Sequence, residues 1–328
     1  MTSTQFAPSR FSKVAAHSAR KKPPPSTAQE WITRKERGCL LALRFMTWFA
    51  HIFGRPVARL ALYPITLYYI LTARQARRAS RDYLARIYGR RAGWHDIFFH
   101  IHTFASVLLD RIYFLLGQHA AFDIRIINDD YGISDAAERE KGVFLMGAHM
   151  GSFEAVRMLG HQRENLPLVL LMYEENARKI SSHFSTINPC AQQEIIPLGQ
   201  LSAMLTVKKR LAQGAVVGML ADRFLGLEKT AILPFLQAPA SFAQGPFRMA
   251  ALMRRPVYFM TGLYVGGNRY DIYIERIADF TDDLHGAPRN NDADIHAAMA
   301  HYVSRLEYFA RLAPLNWFNF YDFWQEHG

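Results

Sequence analysis

The chain has 328 residues, half of them hydrophobic and 13% aromatic, which suits a large packed core and excludes a disordered protein. Its two cysteines, Cys39 and Cys190, form no Cys-x-x-Cys pair, so a disulfide framework is excluded and a reducing compartment is expected. The net charge of +11 is uneven: residues 1–100 hold 18 Lys/Arg against 4 Asp/Glu, so a polyanionic partner (nucleic acid, an anionic membrane or an acidic protein) belongs to the N-terminal third.

Residues 1–28 are rich in Ser, Pro, Lys and Arg. Arg20-Lys21-Lys22-Pro23-Pro24-Pro25 does not begin a packed core, and a disordered basic tail is expected. No apolar segment directly follows the start, so the tail is not read as a secretory signal. Residues 29–80 read as a membrane-associating helical segment. Leu40-Leu41-Ala42-Leu43 and Phe45-Met46-Thr47-Trp48-Phe49-Ala50 are apolar, with Arg44, His51, Arg55 and Arg59 as interruptions. Leu60 to Ala73 follows without a charge. Each run is shorter than the roughly 20 apolar residues of a spanning helix, and arginines flank the pair. Aromatic edges beside cations suit an interfacial helix on anionic headgroups; two core helices of a soluble domain, or one tilted span, are the other readings.

Residues 81–328 read as one domain. Residues 80–125 look helical and contain His100-Ile101-His102, a pair without the acidic or cysteine partners that a metal site needs. From residue 142 strands and helices alternate. The spacing predicts buried strands at 142–148, 168–173 and 215–221, a short strand at 194–198, helices at 201–212 and 292–312, and a hairpin from 256–264 to 270–277 turning at Gly266-Gly267-Asn268. The fold class is therefore α/β, a mixed central sheet flanked by helices.

The chemistry concentrates at His149-Met150-Gly151-Ser152-Phe153-Glu154. Here a histidine and a carboxylate five positions apart stand where a strand gives way to a helix, at the sheet edge where open α/β folds bind ligands. It is the one His-x4-acid pair in the sequence. A second strand, 215–221, delivers Asp222 and Arg223 at its end.

These elements resemble the lysophospholipid acyltransferase superfamily, and within it the lipid A biosynthesis (late) acyltransferase family. The likeness rests on four features and spans roughly residues 30–324. They are the His149–Glu154 element after an apolar strand and the strand ending Leu220-Ala221-Asp222-Arg223. The others are the block Ala243-Gln244-Gly245-Pro246-Phe247-Arg248 before Arg255-Pro256-Val257, and the ending Asn316-Trp317-Phe318-Asn319-Phe320-Tyr321-Asp322-Phe323-Trp324. The Phe-Pro-Glu-Gly-Thr-Arg block of glycerol-phosphate acyltransferases is absent.

The resemblance implies transfer of a fatty acyl group from a thioester to a hydroxyl or amine of a bacterial lipid, with a lipid A-like precursor favoured. His149 would be the general base and Glu154 the carboxylate that orients it. Gly151 and Ser152 would offer main-chain N–H groups at the helix start. Arg223 would hold a phosphate and Asp222 position a partner, a reading that the strand-end location favours over a loop ion pair. Arg178 is a further candidate contact, and Gln244 and Gly245 would shape the donor entrance. The terminal aromatics would line an acyl groove, touch the bilayer or seal the core. The donor would be acyl carrier protein, or acyl-CoA, with Arg248, Arg254 and Arg255 as candidate docking cations.

No cofactor and no metal are expected. The expected partners are a membrane lipid acceptor and the anionic surface of the bacterial inner membrane, on its cytoplasmic face. Other acceptors stay open: a lysophospholipid, an amino-acid lipid or a polyene lipid. So does a non-catalytic membrane-surface scaffold, which has no physical need for both His149 and Glu154. A nucleic-acid partner is not expected, since no zinc finger, helix-turn-helix or RNA-binding aromatic motif is present.

Overall fold

The computed structural model describes residues 37–129, 133–139, 141–162, 167–173, 194–198, 201–224, 228–281 and 291–324. The tail at 1–28 and Arg178 lie outside them. In chain order the elements are helices α1 (Arg37–Thr72), α2 (Arg74–Tyr88) and α3 (Trp94–Leu115), strand β1 (Asp123–Asp129), α4 (Ile133–Arg139), β2 (Val143–Gly147), α5 (Phe153–Gln162), β3 (Leu168–Tyr173), β4 (Glu194–Leu198), α6 (Leu201–Ala212), β5 (Val216–Leu220), β6 (Thr230–Phe235), β7 (Ala238–Ala243), α7 (Gly245–Met253), β8 (Pro256–Gly266), β9 (Arg269–Asp279) and α8 (Asp292–Leu312).

Seven strands make one sheet in the order β1-β9-β8-β2-β5-β3-β4. Neighbours run parallel except β8 and β9, which form the expected antiparallel hairpin. The two central strands, Val143-Phe144-Leu145-Met146-Gly147 and Val216-Val217-Gly218-Met219-Leu220, are continuous apolar runs because both faces of the sheet are covered. α8 covers one face with Ile295, Met299, Tyr302, Leu306 and Phe309, which recur at helical spacing. Its start is fixed by Asn291, whose side chain accepts from the Asp294 N–H at 2.8 Å, with Asp292 and Asp294 in the first turn.

The α/β expectation holds, with two additions. The helical expectation for 80–125 fails at its end, where β1 begins at Asp123; β1 is an edge strand parallel to β9, with Ile126 and Ile127 exposed. β6 and β7 form a separate two-stranded hairpin that carried no sequence expectation. Its turn residues Leu236 and Gln237 both have positive φ, 51° and 64°. Such turns usually carry Asn-Gly, so the residue signal is missing. A tertiary contact selects the turn instead: the Leu236 N–H donates to Glu307 of α8 at 2.8 Å.

α1 breaks at Gly54, where φ is +73° and ψ is 171°, so the two apolar runs fall on two helical pieces. Among the described residues no helix is long and apolar enough to cross a membrane. Arg55 and Arg59, read as polar interruptions, point inward. Arg55 donates twice to the fully buried Asp110 of α3, at 2.7 and 2.8 Å, and Asp110 also accepts from the Tyr270 hydroxyl at 2.9 Å. Arg59 reaches the Gly267 carbonyl at 2.7 Å and the Tyr264 hydroxyl. α2 runs through residue 80 and sends Tyr83 and Leu84 into the main core.

Candidate active site

β2 and β5 are hydrogen-bonded parallel neighbours whose last paired residues are Gly147 and Leu220. Two residues beyond that pair, on the same edge, stand His149 and Asp222. The shared register therefore brings them together. The His149 ring Nδ1 lies 2.8 Å from Asp222 Oδ1, and the His149 main-chain N–H donates to Oδ2 at 3.0 Å. The indole N–H of Trp317 adds a third donor, to Oδ2 at 3.1 Å. Asp222 is 1% exposed, while a third of the His149 side chain meets solvent.

The electrostatics fit a neutral histidine on an ionised carboxylate. Burial lowers the His149 pKa from its ordinary 6.5, the Arg223 charge lowers it further, and Asp222 opposes both without prevailing. Burial alone would raise the Asp222 carboxyl; His149, its hydrogen bonds and Arg223 outweigh that and hold it at about 2. With Nδ1–H donated to the carboxylate, Nε2 is the acceptor nitrogen. Such a ring accepts a proton at Nε2 and hands it on, with the carboxylate stabilising the imidazolium between the two steps.

Glu154 does not fill the orienting place that the spacing suggested for it. The chain turns at Gly151, with φ +61°, before α5 begins, and Glu154 in the first turn is nearly buried against Arg111 of α3, at 2.6 Å. The carboxylate on His149 comes instead from a strand that is remote in sequence and adjacent in the sheet.

Gly151 and Ser152 are likewise engaged in the fold. The Gly151 N–H donates to Asn316 O at 2.9 Å and the Ser152 N–H to Gly262 O at 2.8 Å, so both are committed to main-chain acceptors. A Cβ on residue 151 would sit 2.0 Å from Gly262 O, which explains the glycine by close approach of β8. Ser152 is fully buried, and its Oγ accepts from the Ala155 N–H at 3.2 Å as a helix cap.

Arg223 lies near enough to His149 for its charge to act on the ring. It also donates to Phe318 O at 2.8 Å and lies over the Tyr321 ring at 5.3 Å. Gln244 precedes α7 without a side-chain cap bond; its amide donates to Thr230 O at 3.0 Å and accepts from Arg248. Gly245, at the start of α7, is exposed. Arg248 pairs with Asp292 at 2.8 Å, and Arg255 donates to Lys141 O.

His100 is a core histidine. Its Nδ1 lies 2.8 Å from Ser80 Oγ and its Nε2 2.9 Å from Trp317 O. Among the described residues no group of three or more His, Cys, Asp or Glu is placed to hold a metal. The terminal aromatics seal the core: Trp317 is fully buried and packs edge-on to Phe235, Phe323 and Tyr83. Sequence reasoning missed Arg111, and it named Asn316 and Trp317 without the contacts they make here. Their partners are remote in sequence, and no local spacing announces them.

The sheet and this imidazole–carboxylate pair define an α/β protein with a histidine held on a buried carboxylate at the carboxyl edge of its central strands. The profile of the bacterial lipid A biosynthesis acyltransferase family matches residues 98–326, from within α3 to the C-terminal aromatics. The chain belongs to that family, and is an acyltransferase. No curated protein sequence matches it.

Proposed function

We propose that the protein moves a fatty acyl group from an acyl thioester to a hydroxyl or amine of a bacterial lipid, at the cytoplasmic face of the inner membrane. Acyl carrier protein is the favoured donor, ahead of acyl-CoA, and a lipid A-like precursor is the favoured acceptor. The observation that carries this reading is the His149–Asp222 pair at the sheet edge. His149 Nε2 removes the proton of the attacking hydroxyl as its oxygen adds to the thioester carbonyl. The tetrahedral intermediate collapses with loss of the thiolate, which takes the same proton from the imidazolium. Asp222 keeps Nδ1 protonated and steadies the charged ring, and Arg223 holds a phosphate of donor or acceptor. Glu154 joins α5 to α3 through Arg111 and acts on the site only through that joint.

The chain is then divided by role into a basic tail (1–28), a membrane-associating segment (29–80) and the acyltransferase domain (81–328). The exposed apolar side chains of α1 support the membrane reading: Leu60, Tyr68 and Leu71 are each more than 60% exposed. A cavity of about 400 Å³ beside them is lined by Leu67, Ile70, Leu71, Trp94, His95 and Phe98.

The test is product formation from a labelled acyl thioester and extracted bacterial lipid, with mass spectrometry naming the acceptor. His149→Ala is expected to lower turnover on the order of 10³-fold or more, with its melting curve unchanged. Near-normal turnover in that folded variant overturns the mechanism.

A further inference from the structure

We infer that Trp317 is a positioning residue for acyl transfer: its indole N–H fixes the carboxylate that orients His149, and the helical layer holds the indole from behind. The inference rests on the His149–Asp222 mechanism proposed above.

Trp317 is fully buried, and a buried indole N–H needs an acceptor. The acceptor it has is Asp222 Oδ2, at 3.1 Å. The His149 main-chain N–H meets the same oxygen at 3.0 Å, so two donors anchor one end of the carboxylate and leave Oδ1 to the ring at 2.8 Å. The segment that carries Trp317 is stitched to the segment that carries His149. Phe318 N–H donates to His149 O at 2.7 Å, Gly151 N–H donates to Asn316 O at 2.9 Å, and Met150 and Trp317 form an isolated antiparallel bridge. Ring, carboxylate and indole are thereby tied to one another through both side chains and main chain.

The far side of Trp317 is clamped as well. Its carbonyl accepts from His100 Nε2 at 2.9 Å, and His100 Nδ1 meets Ser80 Oγ at 2.8 Å. Burial lowers the His100 pKa to about 4, so the ring is neutral near pH 7, donating at Nε2 and accepting at Nδ1. Tyr83 packs edge-on to the indole at 4.9 Å, and its hydroxyl donates to Pro314 O at 2.9 Å. His100 of the His-x-His element and the aromatic ending, two features without a role in the chemistry of the pair, thus converge on one residue. Phenylalanine at 317 loses packing volume as well as the N–H, which lowers stability; a shift of the pH–rate profile is the part that packing alone does not produce.

The experiment measures kcat, KM and the pH–rate profile of Trp317→Phe beside His149→Ala and Asp222→Asn. Trp317→Phe is expected to lower kcat about tenfold, the usual consequence of losing a hydrogen bond to a charged group, with KM for both substrates within about twofold. The acid limb is expected to move to higher pH. The other charges near the ring, Asp222 and Arg223, are unaltered, and the carboxylate's charge is left undivided to favour the imidazolium. In an Asp222→Asn background the same change is expected to have no further effect on the residual rate, because Trp317 acts through that carboxylate.

A wild-type kcat and acid limb in Trp317→Phe, with His149→Ala inactive, overturns the role of Trp317 and leaves the proposed mechanism standing. Turnover in His149→Ala overturns both. Should Trp317→Phe fail to fold, the wild-type chain labelled with ¹⁵N in its five indoles reads the same contact. One resonance is expected to shift on Asp222→Asn and to titrate with His149; five unmoved resonances overturn the inference.

Discussion

At the scale of single residues, two carboxylates compete for one histidine, and sheet register decides between them. Glu154 is close to His149 in sequence and spends its charge on Arg111; Asp222 is 73 positions away and sits on Nδ1. The two are separable by pH profile. Asp222→Asn removes the acceptor that fixes the tautomer, and kcat is expected to fall on the order of 10³-fold or more. Glu154→Gln weakens one part-exposed ion pair, and is expected to cost about 1–2 kcal/mol of stability, read by denaturant melts, while leaving the acid limb in place. If Glu154→Gln moves the acid limb and Asp222→Asn does not, the assignment is reversed. Arg223 supplies the complementary test. As the proposed base, His149 works only when neutral, and its pKa is lowered by burial first and Arg223 second, so the midpoint of the acid limb is expected below pH 6.5. Arg223→Gln removes one lowering influence, and the limb is expected to move up; a limb that stays or moves down separates Arg223 from the ring's electrostatics.

At the scale of elements, the sheet was legible because its central strands are apolar runs of five or six residues between turn residues. β3, β4, α6 and α8 fall where periodicity predicts them, and Gly266-Gly267-Asn268 marks the hairpin. The β6–β7 hairpin was not legible, because its turn uses Leu236 and Gln237 where residue preference asks for Asn-Gly, and a contact from α8 selects the geometry. β1 was lost at the end of a helical stretch, as an edge strand with polar residues interleaved. Of the candidate site, the position of His149 and the arrival of Asp222 at a strand end were legible; their pairing was not, because strand order is a tertiary fact. The same holds for the inward arginines of α1, whose partner Asp110 lies 55 residues on from Arg55. That contact is expected to hold α1 on the domain. Asp110→Ala leaves Arg55 largely buried without its carboxylate, and a loss of about 3 kcal/mol is expected in denaturant unfolding. A change under about 0.5 kcal/mol, the range of an ordinary surface substitution, would remove the pair from the account of how α1 is attached.

At the scale of the whole molecule, the excess positive charge and the exposed apolar surface lie at the same end of the chain. Residues 1–100 carry 18 of the 39 Lys/Arg, and α1 leaves Leu60, Tyr68 and Leu71 exposed at 68%, 69% and 64%. Trp94, 57% exposed, lies under Arg77 at 5.4 Å and Arg81 at 6.0 Å. On the membrane reading proposed above, these cations would meet anionic headgroups, each contributing on the order of 1 kcal/mol, and the apolar side chains would add their own burial. Removing α1 is a poor test, because Ala50, Ala58 and Leu62 share a core cluster with Phe114, Tyr270 and Phe318. Surface substitution leaves that core intact. Leu60→Ser, Tyr68→Ser and Leu71→Ser together are expected to weaken binding to anionic vesicles by at least about tenfold, since even partial burial of three such side chains contributes more than 1.4 kcal/mol, roughly a factor of ten. Wild-type binding is expected to fall as salt rises from about 0.1 to about 1 M and screening shortens from about 10 to about 3 Å. Turnover on a short-chain acceptor dissolved in water is expected to be unchanged by the triple substitution, because His149, Asp222 and Trp317 are untouched. Sedimentation with vesicles is the readout. A triple variant that pellets as the wild type does would move the attachment off this face of α1.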